Sequence, residues 1–289
     1  MICDFVGLSV PETVASDVLA EVSLVLNAIG CLQVNDLLWR DSSGGTFRYE
    51  ARRGFSTFGA SGAMLGALRE RGLYNDFFLP FVGVPHRVTR LDIAHDVMRP
   101  SPPILRRLYG SASSGGIGLT RKKLNSSQVT KMLSKGYDGV DTGTLYLGRR
   151  SAEVRAKVYD KSHERWQKEG IEPTGPVTRY ELTITSKSGA ALGDVFSPAP
   201  AFWHFMGDVL RRPTGIDLWT PSNDNYVVPK RASLLPYEVL SRKVSDSAEI
   251  GNLIALAADC GPHGLEAMIR KIRERAAQIG SHGLAATGS

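Results

Sequence analysis

The chain has 289 residues, 42% apolar and 22% charged, and Lys plus Arg exceed Asp plus Glu by 35 to 29 for a net charge of +6. That balance excludes an intrinsically disordered chain and leaves room for a substantial core, in one large domain or in a main domain with a smaller C-terminal one. Cys3, Cys31 and Cys260 are too scattered for a disulfide framework or a metal-ligand spacing, no apolar run approaches the roughly 18 residues of a membrane span, and the N-terminus lacks a signal-peptide pattern, so the expectation is a cytoplasmic protein with no membrane contact.

In chain order, an apolar opening from Cys3 to Leu8 reads as a strand and Val14 to Ile29 as a helix. Short strands around Phe47 to Glu50 and Gly54 to Phe58 are separated by Gly and Ser, Ser61 to Arg71 is compatible with helix, and Val88 to Met98 reads as a strand. Pro100, Pro102 and Pro103 then interrupt regular structure, Leu105 to Tyr109 is too short to assign, and Ser126 to Leu133 is expected to be a short helix. Three strands follow, Thr144 to Leu147, Glu153 to Tyr159 and Val177 to Thr185, with Lys161 to Lys168 as a helical turn ending at Gly170 and Pro173. Beyond Pro198 the pattern changes to a helix over Ala201 to Leu210, an irregular aromatic stretch over Pro213 to Pro229, and one or two helices over Ala248 to Ile279. The expected fold class is therefore α+β, with residues 1–197 as the main domain and 198–289 as a helical and irregular C-terminal region.

Side chains alternate across a strand, so each strand separates a core set from an outward set. In "RLDIAHDV", Leu91, Ile93, His95 and Val97 fall on one side, and Arg90, Asp92, Ala94 and Asp96 on the other. Two carboxylates on one face suit Mg²⁺ or Mn²⁺, unless the face is simply solvated with Arg90 balancing the acids. "EVRAKVYDK" sets Arg155, Lys157, Tyr159 and, if the strand runs that far, Lys161 opposite Val154, Ala156 and Val158. A phenol has a pKa near 10 and needs cationic neighbours to act as a nucleophile at neutral pH; the alternative is a strand tyrosine kept for packing. "VTRYELTI" places Arg179, Glu181 and Thr183 together. If these strands share one sheet, Asp92, Asp96 and Glu181 converge around a metal with Tyr159, Arg155, Lys157 and Lys161 beside it, a constellation suited to phosphoryl transfer.

Cationic groups recur as Arg106-Arg107, Arg121-Lys122-Lys123 and Arg149-Arg150, and the whole basic segment from Pro103 to Lys131 is a candidate for phosphate contact. Tyr146 precedes "LGRR" and is a second candidate for base stacking or for nucleophilic attack. Trp203, Trp219, Tyr226 and Tyr237 are candidates for the core or for stacking on opened DNA.

"RLDIAHD", "GTLYLGRRSAEVRAKVYDKSHE" and "TRYELT", in that order, resemble the rolling-circle replication initiator family of certain plasmids and filamentous phages, related to some mobile-element relaxases. The resemblance spans about Asp4 to Thr185. It implies an antiparallel sheet like the palm-like fold of rolling-circle nucleases and an origin-specific endonuclease and strand transferase whose tyrosine becomes joined to a 5′ phosphate and leaves a 3′ hydroxyl. By the resemblance Tyr159 is that tyrosine, Lys161 and Glu164 its motif neighbours, Asp92 and Asp96 the first acidic motif, and Arg179 and Glu181 the late one. The His-hydrophobe-His metal motif of the wider class is missing; His95 falls on the opposite face from Asp92 and Asp96, and His163 is a supporting candidate. The expected partners are origin DNA, a host DNA polymerase, a host helicase, since no GxxxxGK[ST] loop is present, and a second copy of the chain as a homodimer. The alternatives are a relaxase or transposition enzyme of a mobile element, or a DNA-binding relative that no longer cuts.

Overall fold

The structure is a computed structural model that describes residues 1–119, 123–136, 139, 141–185 and 189–211, all within the unit Met1–Ala232. Alternating apolar positions build β1 (Ile2–Pro11), and Glu12 opens α1 (Glu12–Ala28), whose Ala15, Val18, Val22 and Leu26 form one buried stripe. A run of short antiparallel strands follows: β2 (Leu32–Asn35), β3 (Leu38–Arg40), β4 (Thr46–Arg52) and β5 (Phe55–Ser61). Ser61 caps α2 (Gly62–Glu70), accepting from the Met64 N–H at 3.4 Å; α3 (Tyr74–Val82) then leads to β6 (Arg87–Val97).

Two segments differ from the sequence expectation. The prolines do not break structure: Pro102 and Pro103 occupy the first turn of α4 (Ser101–Ser113), where helical N–H groups have no intrahelical acceptor, so their missing donors cost little. Ser126 to Leu133 is not a helix but a 3-10 turn, Ser126–Gln128, followed by β7 (Val129–Lys135). Pairing to β8 (Asp141–Leu147), from Val129↔Leu147 to Lys135↔Asp141, outweighs any local helical preference. That pairing is close: a methyl group on Gly143 would collide with the Met132 carbonyl oxygen.

The remaining elements are β9 (Val154–Asp160), α5 (Lys161–Glu169), β10 (Thr178–Thr185), α6 (Gly193–Phe196) and α7 (Pro198–Arg211). The expected 197/198 boundary falls at the start of α7, whose Phe202, Met206 and Val209 belong to the same core as β1 and β10. The C-terminal stretches beyond residue 211, with Trp219, Tyr226, Tyr237 and Cys260, lie outside the described residues.

The strands of the described residues join one ten-stranded antiparallel sheet in the order β2-β3-β4-β5-β1-β6-β10-β9-β8-β7. The fold is α+β, a large antiparallel sheet with flanking helices. Its core face carries Val6, Leu8, Phe47, Phe58, Leu91, Ile93, Leu145, Val158 and Tyr180. His95 also turns to this side, packing against Phe202 at 5.9 Å and Trp203 at 6.3 Å. No helix among the described residues is long and apolar enough to cross a membrane.

Candidate functional site

The other face of β6, β10, β9 and β8 is polar, and strand register arranges it in rows. One row runs Asp96, Arg179, Tyr159, Thr144; the next runs Ala94, Glu181, Lys157, Tyr146; a third begins Asp92, Thr183, Arg155. The outward sets read from the three strands therefore do share one surface, with β10 between β6 and β9.

The side chains on that surface are already engaged. The Arg179 guanidinium grips Asp96 with two bonds of 2.6 and 2.7 Å and reaches Asp4 at 3.3 Å. Burial works against the charge of Arg179, but Asp96 and Asp4 outweigh it and hold the guanidinium more firmly protonated than usual. Arg90 binds Asp92 through both its Nε, at 2.9 Å, and a terminal nitrogen. Lys157 Nζ lies 2.9 Å from Glu181 Oε2 and 4.4 Å from the centre of the Tyr159 ring. Lys161 pairs with Glu164 at 2.5 Å and Lys168 reaches the same carboxylate at 2.6 Å; burial opposes ionisation of Glu164, yet these two bonds draw its pKa down to about 2.

These pairings bear on the metal expected from sequence. Asp92, Asp96 and Glu181 each have a cationic partner of their own, and among the described residues no three His, Cys, Asp or Glu side chains gather to hold an ion. As arranged, these carboxylates do not fit a shared Mg²⁺ or Mn²⁺ centre.

Tyr159 also differs from expectation. Its side chain is 6% exposed and its hydroxyl donates to Glu181 Oε2 at 3.3 Å. Burial first, then the charges of Glu181 and Glu164, push its pKa up against the opposing pull of Arg179. Cations flank Tyr159 as read from the strand, but its hydroxyl donates to the half-buried Glu181 carboxylate, so the environment favours the neutral phenol rather than the phenolate. Asp4, which sequence reasoning did not single out as a site residue, belongs to this cluster: its carboxyl is raised by burial while Arg179 pulls the other way. The signal available was an acid in an otherwise apolar opening strand.

Tyr146 is placed differently. It is 38% exposed and lines a cleft of about 540 Å³ on the polar face, between β10 and the turn before β7. Arg90, Arg149, Arg150, Arg155 and Lys157 line the same cleft, and Glu181 is the one carboxylate among its lining residues. Arg155 also donates to the Arg150 carbonyl at 2.7 Å, tying the turn that carries Arg149 and Arg150 to β9. Tyr146, Arg149, Arg150, Arg155, Lys157 and Glu181 are thus brought together. Lys123 is exposed elsewhere, and Arg121 and Lys122 lie outside the described residues. His163 is buried in the first turn of α5, where the Asp160 carboxylate accepts from its backbone N–H at 2.9 Å. Its ring nitrogens have no partner among the described residues, and its ring lies 5.8 Å from Trp166.

A cationic cleft with a reachable phenol suits contact with a phosphodiester. Residues 86–207 match the family described as replication initiation factor. That stretch, less than half of the chain, is similar to the replication initiation family. The matched segment begins at β6, contains every strand of the charged face, and ends within α7. Among solved structures, the rolling circle replication initiator protein from Geobacillus stearothermophilus is similar with a TM-score of 0.41 and 15% identity, over 63% of this chain and 73% of that one. No curated protein sequence matches the chain.

Proposed function

We propose that this protein starts rolling-circle replication by nicking one strand of origin DNA and holding the 5′ end covalently. The observation that carries the reading is the cleft in which Tyr146 stands among Arg90, Arg149, Arg150, Arg155 and Lys157, within the segment that matches the replication initiation family. The guanidinium groups offset the charge of the scissile phosphate and of its pentacoordinate transition state. The Tyr146 oxygen attacks phosphorus, the phosphorus bond to the 3′ oxygen breaks, the phenolic proton leaves and the 3′ oxygen gains one. Glu181 is the carboxylate on hand to accept the phenolic proton, and Lys157, opposite Tyr146 in register and bonded to Glu181, bridges the two positions.

Tyr146 takes the role in preference to Tyr159 because it is exposed and lines the cleft, whereas Tyr159 is buried and its hydroxyl is engaged by Glu181. The 3′ hydroxyl so made primes a host polymerase, strand separation falls to a separate helicase, and a second copy of the chain supplies a further tyrosine to close the circle. The test is incubation of supercoiled DNA carrying the gene and its flanks with wild-type, Tyr146→Phe and Tyr159→Phe proteins, with Mg²⁺, Mn²⁺ or chelator, scoring the detergent-stable protein-DNA adduct. Tyr146→Phe is expected to lower adduct yield by about 10³-fold or more, the scale of losing an essential group, and Tyr159→Phe to keep most of it. Loss in Tyr159→Phe alone transfers the role to Tyr159. No adduct from wild type under any condition leaves a DNA-binding relative that does not cut.

A further inference from the structure

The edge strand β7 has two working sides. Thr130 and Met132 line the cleft. Lys131, between them, turns to the opposite face of the sheet, where its ammonium lies 5.9 Å from the centre of the Tyr109 ring on α4. Tyr109 is 43% exposed, and Arg106, one turn earlier, shares its side of the helix with Arg107 adjoining; both arginines are exposed. This surface is one-sided in charge: the α4 sequence SPPILRRLYGSAS and the β7 sequence VTKMLSK contain no acid. Among the described residues neither Arg106 nor Arg107 has an ion-pair partner, and Asp141, the carboxylate paired with the far end of β7, is held by Lys135 at 2.5 Å. Arginines left unpaired around an exposed aromatic ring are poorly explained by stability, because they repel one another and nothing in their own elements offsets them.

We propose that Arg106, Arg107 and Lys131 form a second phosphate track that takes duplex DNA flanking the cut site as it passes from the cleft around the free edge of β7. The strand is the physical link: alternate residues of one extended segment serve the cleft and the track, on opposite sides of a sheet only one layer thick. Phosphates recur along duplex DNA about every 3.4 Å of helix axis per strand, so a duplex resting against this edge offers phosphates to the three cations within roughly one turn. No base-reading group is required, and the track adds affinity and direction rather than sequence choice. Tyr109 holds Lys131 by cation-π contact and aims it outward.

The proposal rests on the nickase reading only in naming the DNA, and its test separates the two. Binding of the full chain to a single-stranded oligonucleotide long enough to fill the cleft is compared with binding to the same strand extended by a duplex flank, for wild type and for an Arg106→Gln, Arg107→Gln, Lys131→Gln triple variant, over a range of salt. All three residues are exposed and the helical residues lie off its buried stripe, so the variant is expected to unfold at the wild-type temperature. The triple variant is expected to lose about tenfold or more in affinity for the flanked substrate, with its salt slope reduced by about 3, one unit per lost phosphate contact, while binding to the short strand stays unchanged. Equal affinity and salt slope on the flanked substrate overturn the track. Failure of wild type to form an adduct, with the flank effect intact, overturns the nickase reading and leaves the track standing.

Discussion

The sheet has two halves that differ in both chain order and chemistry. The strands β1 to β6, from residues 2–97, form one contiguous side in the order β2-β3-β4-β5-β1-β6, and β10-β9-β8-β7, from residues 129–185, form the other. On the site face β1 and β5, at the middle of the first half, carry the small uncharged Gly7, Gly59, Ser9 and Thr57 between the charged residues of β4 and β6, whereas the second presents Arg179, Glu181, Tyr159, Lys157, Arg155 and Tyr146 without such a break. On the core face the contrast is reversed. The first half carries an aromatic assembly, with Phe47 at its centre in edge-to-face contact with Trp39 at 5.4 Å and Phe77 at 5.7 Å. The aromatic assembly thus belongs to the first half and the cleft to the second together with β6, which is the part the family match covers.

The most severe way to break that division is Phe47→Ala. The side chain is completely buried, and its removal is expected to cost about 3–5 kcal/mol through lost burial and the cavity left among aromatic rings; a denaturant titration followed by tryptophan fluorescence reads it. The DNA affinity of the fraction that remains folded should be that of wild type, because Phe47 lies on the face away from the cleft. A comparable loss of binding would show that the halves are not separable.

Arg179→Ala acts on the charged half. It strips Asp96 and Asp4 of their shared partner and is expected to cost about 2 kcal/mol, less than the 3–5 typical of a fully buried pair because Asp96 retains solvent contact. The loss should shrink as pH falls, because burial raises the Asp4 carboxyl and its protonation removes one of the charges that Arg179 pairs. A loss that stays unchanged from neutral pH down through about pH 4 would mean that Arg179 matters for packing and not for charge.

The smallest effect is expected from Glu164→Gln, at about 0.5–1 kcal/mol, the scale of partly exposed helical ion pairs. The sign follows from the depressed acid: with a pKa of about 2 when folded against 4.5 ordinarily, Glu164 stabilises the protein fully above pH 4.5 and loses that contribution as pH falls toward 2. The variant and wild type should therefore converge in thermal stability at acid pH and separate at neutral pH.

Much of the charged half was legible in the sequence because alternation is a local property. The outward sets of β6, β9 and β10 follow from residue spacing alone, and the register that joins them obeys the same spacing. Which side chain meets which is not local. Asp92 is taken by its own neighbour Arg90, and Asp96 by Arg179 from a strand 83 residues later, so an arrangement of acids read as a metal centre becomes a set of separate ion pairs. Exposure was equally out of reach: Tyr159 and Tyr146 both sit on outward positions of strands, and only the presence of Lys157 and Glu181 against Tyr159 makes one buried and the other open. Asp4 passed unnoticed because its strand looks like core, and β7 because its strand character comes from pairing with β8. Arg121 and Lys122, the triplet's other members, gain no structural reading.

The strand order also sets a timetable. Every partner within β1 to β6 is available once residue 97 has emerged from the ribosome, so this half can pair before β10 emerges, while β6 must wait for β10, where Glu181 pairs opposite Ala94. During that interval the central strand of the finished sheet is an edge, the position at which nascent chains join to one another. Asp92 and Asp96 lie along that edge, and charge at an unpaired strand discourages such joining. The residues that later pair with Arg90 and Arg179 thus guard the half-made protein first. Replacing both with alanine should raise aggregation during synthesis more than it lowers the stability of molecules that complete folding.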